Sequence, residues 1–175
     1  AVALARKAEY STNVSVEDIP RARSMAVEAS EAATSADEEA RQISDYALAW
    51  VRALAGETGG EVEEQTVANP RDEYHLVDSL ERIAALKLMW SGDIPAAREA
   101  LEELLLCADE RGEGASYFTL RLHLCDLELR AGNWDAAALL LEETEQSVGT
   151  AEPQQSARVR YRALLAAGRG DAGEA

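Results

Sequence analysis

The side chains that could carry chemistry in this sequence are two histidines, two cysteines and several short acidic runs. His123 and Cys125 are two positions apart, which on a helix points them in different directions, and His75 lies far away in the sequence. A zinc site needs about four ligands that converge on one point. Cys107 and Cys125 are more typical of small, buried hydrophobic residues than of metal ligands. We therefore expect no metal site, no catalytic residue and no bound cofactor in this segment.

Acidic runs occur at 37–39, 102–103 and 142–143. On amphipathic helices such runs are typical of the solvent-exposed face, and acid–base catalysis would also require a pocket and a partner group. The sequence contains no phosphate-binding loop of the form GxxxxGK[ST] and no recognisable nucleophile–base pair. An enzyme with helical accessory architecture is one function class to weigh, but the sequence predicts that the protein is not an enzyme.

The charge of the chain restricts its partners. Its 175 residues include 33 acidic and 17 basic side chains, for a net charge of −16, which repels phosphate backbones and anionic lipid headgroups. No apolar run approaches the roughly 18 residues that span a bilayer, and the first residues turn charged too early for a signal peptide. We expect a cytoplasmic location, with no direct nucleic-acid binding and no membrane binding.

One phrase recurs along the chain. Residues 92–101 (GDIPAAREAL) align with 132–141 (GNWDAAALLL) at an offset of 132 − 92 = 40, and 170–175 offers the same start again at 170 − 132 = 38. Upstream, 18–23 nearly duplicates 93–98 at an offset of 93 − 18 = 75, close to two such units. A period in the high thirties is typical of helix–turn–helix repeats.

Each position of the phrase has a mechanical role. Gly92 and Gly132 are expected to end helices with φ > 0, and Asp93 and Asn133 to cap the helices that follow. Prolines at positions 20 and 95 fit the first turn of a helix, and paired alanines let helices approach closely. With boundaries uncertain by about 2–4 residues, the sequence predicts helices at about 1–10, 19–34, 37–55, 70–91, 94–111, 114–131, 134–148 and 154–168.

The segment 56–70 has two adjacent glycines and few apolar residues. It predicts a loop or a shortened helix, with Asn69 capping the next helix and Pro70 in its first position. We expect one domain over 1–175, and 56–69 is where a subdomain break would fall. The chain lacks an initiator Met and stops at Ala175 within a helical phrase, so we also expect it to be a fragment of something longer.

Two sets of bulky apolar residues are expected to pack between helices. The tryptophans 50, 90 and 134 fall near predicted helix ends at intervals of 40 and 44, a spacing that favours packing between repeats. Fully buried leucines would each contribute roughly 1.5–3 kcal/mol before the entropy cost of ordering the chain. The candidates are the leucines at 101, 104, 105, 120, 124, 127, 139, 140 and 141.

Low aromatic content and abundant Ala favour an all-α fold over a β-sandwich. Helices joined by short turns cannot bury their apolar faces alone, so we expect antiparallel hairpins stacked as a right-handed superhelix. The pattern Gly-Asn/Asp-x-x-x-Ala resembles the hinge of a tetratricopeptide repeat, well over 70–175 and loosely over 1–55. The chain departs from that pattern at Cys125 and Glu128, which occupy a small and an aromatic slot, and it has no closing Pro.

A closer resemblance is to the helical-repeat half of large ATP-binding LuxR-family (MalT-like) bacterial transcriptional regulators. The phrases that carry it are ERGEGASYFTLRLHLCDLELRAGNWDAAALLLEE at 110–143 and RVRYRALLAAGRGDAGEA at 158–175. The resemblance implies a sensor array that receives an inducer or partner and relays the signal to ATPase and DNA-binding modules outside this segment. The alternative is a stand-alone tetratricopeptide-like adaptor that binds a peptide of a partner protein.

A concave groove is the predicted binding site for a protein, a peptide or a small effector. In tetratricopeptide-like arrays the first helix of each hairpin lines the concave surface, and apolar side chains exposed there would accept an amphipathic helix or an apolar ligand. The competing explanation is that superhelical curvature or an extra helix covers these side chains. The inducer and the oligomeric state are not predicted. The predicted groove consists of Arg82, Leu86, Met89, Leu122, Asp126 and Leu129.

Overall fold

The computed structural model of the chain describes residues 1–14, 18–35, 38–57, 75–146 and 152–171. Within these ranges the regular secondary structure is helical and includes no strand, which confirms the predicted all-α class. A 3₁₀ turn spans Leu76–Asp78. The α-helices are α1 (Val2–Val14), α2 (Ile19–Ala33), α3 (Glu38–Leu54), α4 (Leu80–Ser91), α5 (Ile94–Glu110), α6 (Gly114–Ala131), α7 (Trp134–Gln146) and α8 (Glu152–Arg169).

Most predicted helices agree with these bounds to within a few residues, and α4 is the exception. It begins at Leu80 instead of position 70, because the chain forms the 3₁₀ turn just before it. The predicted cap at Asn69 and Pro70 lies outside the described residues, as does the predicted loop from residue 58 onward.

The chain divides into two compact units. The first comprises 1–74 and 78–84, and the second comprises 75–77 and 85–175, so that the first residues of α4 belong to one unit and the later residues to the other. The expectation of a single domain stays a prediction.

In the first unit, α1, α2 and α3 each pack against the other two. The contacts are made largely by alanine, whose small side chain lets helix axes approach closely. One cluster joins Ala8, Ala22, Ala26 and Val51, and another joins Ala5, Ala29 and Ala47.

In the second unit, α6 packs on α5, α7 and α8, and α7 also packs on α8. The set α6, α7 and α8 therefore repeats the packing of α1, α2 and α3, in which a helix contacts both its next and its second-next neighbour. This packing is typical of helical hairpin repeats.

Within the described ranges, five glycines with positive φ end helices by the same turn, at positions 56, 92, 112, 132 and 170. At Gly132, φ is 75°, and the N–H of Asn133 donates to the carbonyl of Glu128 at 2.8 Å. Gly92 has φ 88°, and the N–H of Asp93 donates to Leu88 at 3.0 Å. Both predicted glycine ends are confirmed. The spacings 112 − 92 = 20 and 132 − 112 = 20 show that one turn closes each half of the 40-residue unit.

The predicted caps are confirmed only in part. The Asp93 carboxylate accepts the N–H of Ala96 at 3.3 Å, and proline occupies the first turn of both α2 and α5. Asp18, at the matching position before α2, makes no side-chain capping hydrogen bond. The side-chain amide of Asn133 donates to the Glu128 carboxylate at 2.6 Å, back toward the preceding helix instead of forward.

Candidate interaction site

The structure buries most of the predicted groove. Arg82 lies in the first unit, and the other five residues lie in the second. Asp126 is half-buried. The exposed apolar face that the sequence predicted is therefore not formed by these side chains, although ligand binding near them stays a prediction. Exposure is 9% or less at Arg82, Leu86, Met89, Leu122 and Leu129.

Helices α7 and α8 cover the groove residues of α6. Leu122 and Leu129 belong to a core cluster to which α7 contributes Ala137 and Leu141, and α8 contributes Tyr161. The arrangement agrees with the alternative to an exposed groove, in which further helices cover the apolar face. The expected exposure is absent because α6 is buried on more than one side by its three neighbouring helices.

Asp126 contributes charge beside this cluster. It forms an ion pair with Arg130, one turn along α6, at 3.3 Å. Burial, together with the charge of Asp126, raises the pKa of Cys125 to about 12. The protonated thiol points to the carbonyl of Ala137 at 3.6 Å. Cys125 is thus a neutral core residue at neutral pH and not a thiolate nucleophile.

Arg82 is a buried packing residue of the first unit. Its guanidinium carbon lies 5.7 Å from the ring centre of Tyr46 and 5.2 Å from that of Trp50, both on α3. It also donates a hydrogen bond to the Tyr46 hydroxyl. Burial raises the pKa of Tyr46 to about 12, although the charge of Arg82 acts in the opposite direction. These contacts fasten the start of α4 to α3.

An ion pair joins α5 to the end of α6. Arg98 Nε lies 2.7 Å from one oxygen of Glu128, and its terminal nitrogen lies 3.0 Å from the other. Burial alone would raise the pKa of Glu128, but the hydrogen bonds from Arg98 and Asn133 prevail and lower it. Glu128 was noted in the sequence only as a departure from the tetratricopeptide pattern. The Glu128 carboxylate binds α5 through Arg98 and binds the turn after α6 through Asn133.

Ion pairs also occur at two other hairpin ends. In each case a residue in the first part of one helix pairs with a residue at or just beyond the end of the next helix, although Glu57 follows the glycine turn whereas Glu128 and Arg169 precede it. The third pair has its signs reversed. The sequence gives part of this arrangement, because the near-duplicate segments 18–23 and 93–98 align Arg23 with Arg98. It does not identify the acidic residues with which these arginines pair. We call these contacts the junction pairs: Arg23–Glu57 at 3.0 Å, Arg98–Glu128 at 2.7 Å and Asp135–Arg169 at 2.6 Å.

Trp134 packs between helices, against the end of α8. A Cβ added at Gly168 of α8 would lie only 2.3 Å from a ring carbon of Trp134, so the indole lies directly against the backbone. Trp50 is likewise partly buried against the core. Trp90 is 38% exposed and Leu139 is 57% exposed, so the expectation of burial is wrong for these two residues.

A second polar network holds the 3₁₀ turn against the start of α6. Glu113 accepts the N–H of Leu76 at 2.9 Å and the hydroxyl of Ser116 at 2.6 Å. The N–H of Val77 donates to the same hydroxyl at 3.1 Å. Burial would raise the pKa of Glu113, but these hydrogen bonds outweigh it and lower the pKa. Backbone groups that a longer α4 would use internally are therefore bound by side chains of α6.

The first unit also has an open groove of about 610 Å³ along the outer side of α2. Ile19, Pro20 and Val27 give it an apolar wall. Its charged side includes Arg23 and Glu57, which pair with each other.

Over the described ranges, no three His, Cys, Asp or Glu side chains are grouped so as to hold a metal ion. The described helices also include none with the length and apolar character needed to cross a bilayer. Comparisons with protein-family models, curated proteins and solved structures gave no match for this chain.

Proposed function

We propose that this segment is a non-enzymatic helical-repeat domain that binds a partner protein. The observation that carries the proposal is the recurrence of the glycine turn at successive helix ends, with an ion pair close to that turn at three of the hairpin ends. Repeated hairpins joined in this manner are typical of interaction scaffolds, which stack as a superhelix and present extended surfaces. A right-handed tetratricopeptide-like superhelix is the arrangement we infer.

Within this class, we favour the sensor array of a LuxR-family regulator. The resemblance of the phrases at 110–143 and 158–175 supports this choice. Binding of an inducer or partner would then favour one packing of the array over another and relay that preference to ATPase and DNA-binding modules outside the segment. The alternative is a stand-alone adaptor that binds a partner peptide.

The sequence of the gene that encodes this segment distinguishes the regulator from the adaptor. A regulator requires a phosphate-binding loop encoded upstream and a helix-turn-helix encoded downstream. An adaptor requires neither, so their absence would contradict the regulator and leave the adaptor.

Site-specific photo-crosslinking in the native cell tests partner binding itself. A photoreactive amino acid is placed singly at the exposed apolar positions Leu106, Leu139, Val159 and Leu164, which are 66%, 57%, 60% and 44% exposed. We expect a discrete adduct with one protein from at least one position. Glu102, an exposed acidic residue on α5, is the control position. The absence of an adduct at all four positions would contradict the proposal.

A further inference from the structure

One side of α8 is apolar and exposed. Val159 is 60% exposed and Leu164 is 44% exposed. Ala167 and Arg160 are exposed as well, and Ala163 is half-buried. Residues 160, 163, 164 and 167 follow Val159 by one, four, five and eight positions. At about 3.6 residues per turn, these five residues share one side of the helix. We call Val159, Arg160, Ala163, Leu164 and Ala167 the α8 outer face.

This face corresponds to a face that is covered on α6. Aligning Gly170 with Gly132 gives an offset of 170 − 132 = 38 between α8 and α6. On α6 the corresponding side chains, which include Cys125, are buried against Ala137 and Leu141 of α7. Among the described residues, no helix occupies the equivalent place over α8. With this offset, Leu122, Cys125 and Leu129 correspond to Arg160, Ala163 and Ala167, and the half-buried Arg121 and Asp126 correspond to Val159 and Leu164.

The charge of α8 is opposite to that of the rest of the chain. α8 includes four arginines and one acidic residue, Glu152, in a chain whose net charge is −16. Of the four arginines, Arg160 belongs to the α8 outer face. By contrast, α7, the helix that covers α6, has four acidic residues and no basic one. One of them, Glu143, forms an ion pair with Arg121 of α6 at 2.9 Å. Thus α7, the helix that packs on the corresponding face of α6, is amphipathic and acidic.

We propose that the α8 outer face binds an acidic amphipathic helix of a partner protein, docked as α7 is docked on α6. This inference rests on the proposed function and specifies the chemistry of the partner. The small side chains of Ala163 and Ala167 allow a close helix crossing, and Arg160 attracts carboxylates at its edge.

Charge and side-chain size argue against three other occupants: a second copy of α8, a bilayer and nucleic acid. A second copy of α8 would bring like charges together. A bilayer would receive few bulky apolar side chains from this face, since two of its five residues are alanine. Nucleic acid would meet the net negative charge of the whole chain.

The test uses a fluorescent peptide with the sequence GNWDAAALLLEETEQ (residues 132–146), stapled on its outward side because short helices are marginal in isolation. Its binding to the full chain is followed by fluorescence anisotropy. We expect saturable binding that weakens about tenfold in Val159→Asp and by less than about twofold in the matched control Leu106→Asp, since only Val159 lies on the face. Circular dichroism confirms that both variants fold.

A charge exchange makes the test independent of any single variant. Arg160→Glu should weaken binding of the peptide, and replacing Glu142 and Glu143 of the peptide by arginine should restore it. Equal binding of a scrambled peptide, or unchanged binding by Val159→Asp, would overturn the proposal. Tighter binding of phosphatidylserine vesicles or duplex DNA than of the peptide would also overturn it, as would self-association that depends on Val159.

The two proposals fail separately. Crosslinks from Leu106 or Leu139 with none from Val159 or Leu164 would leave partner binding intact and overturn the role of the α8 outer face. No crosslink at any of the four positions would contradict partner binding itself.

Discussion

The Arg98 guanidinium contacts both carboxylate oxygens of Glu128, at 2.7 and 3.0 Å, and so joins α5 to the last turn of α6. The same carboxylate accepts the amide of Asn133, the first residue after the glycine turn. One buried carboxylate thus connects a helix, the end of the next helix and the turn that leaves it. The alignment of Arg23 with Arg98 suggests that this connection is a general feature of the repeat.

Removing the central junction pair should destabilise the fold. Arg98→Ala leaves Glu128 buried with only part of its hydrogen bonding, and we expect the free energy of unfolding to fall by about 1–3 kcal/mol. Arg23→Ala is the matched control, because Arg23 is exposed and its pair should contribute only about 0–1 kcal/mol. Urea denaturation measures both changes, and equal losses in the two variants would show that burial of Glu128 is not the cause.

The stabilising effect of Glu128 should depend on pH. Its pKa in the folded protein is lowered from the ordinary value of 4.5, so its contribution is complete above that pH and is lost as the pH falls through the lowered pKa. The difference in unfolding free energy between wild type and Glu128→Gln should therefore be largest at neutral pH and shrink below pH 4.5. In an Arg98→Ala background this dependence should be reduced. A difference that grows with acidification would contradict the assignment.

Adding one methyl group at Gly168 should destabilise α8. Alanine normally stabilises a helix interior relative to glycine by up to about 1 kcal/mol, but here the new Cβ would collide with the Trp134 ring at 2.3 Å. We expect Gly168→Ala to cost about 1–3 kcal/mol by overpacking. Gly114→Ala, in the first turn of α6 with no atom within 4 Å of the added Cβ, is the control and should be neutral or stabilising. Thermal unfolding distinguishes the two signs.

Cys125 should resist alkylation in the folded protein. With its pKa raised to about 12, roughly one thiol in ten thousand is ionised at pH 8, and the side chain is buried as well. Iodoacetamide labelling of a Cys107→Ala variant, followed by mass spectrometry, should show slow modification that becomes fast in denaturant. Rapid labelling without denaturant would indicate that the cluster around Cys125 opens readily.

Helix positions were largely predictable because their ends are specified locally. Gly92 and Gly132 require positive φ, and Asp93 supplies a cap, so a few adjacent residues define each junction. The start of α4 was not predictable in this way. The backbone of Leu76 and Val77 is bound by side chains 37 and 39 positions away, which no local rule anticipates.

The candidate site was harder to predict than the helices. Periodicity shows that α6 is apolar but does not show which neighbours cover which side, and α7 and α8 cover Leu122 and Leu129. Glu128 was passed over because an acidic residue on a helix usually faces solvent. Its burial becomes intelligible only once Arg98 and Asn133 are placed beside it.

The reversed sign of the third junction pair bears on how the second unit assembles. Exchanging the ends of α6 and α8 would place Asp135 beside Glu128 and Arg98 beside Arg169. Such mismatched assemblies bring like charges together and are disfavoured. The single reversal thus distinguishes the third hairpin end from the second by a small electrostatic preference, because the Asp135–Arg169 pair is exposed. Such a preference acts against the misassembly to which arrays of similar segments are prone.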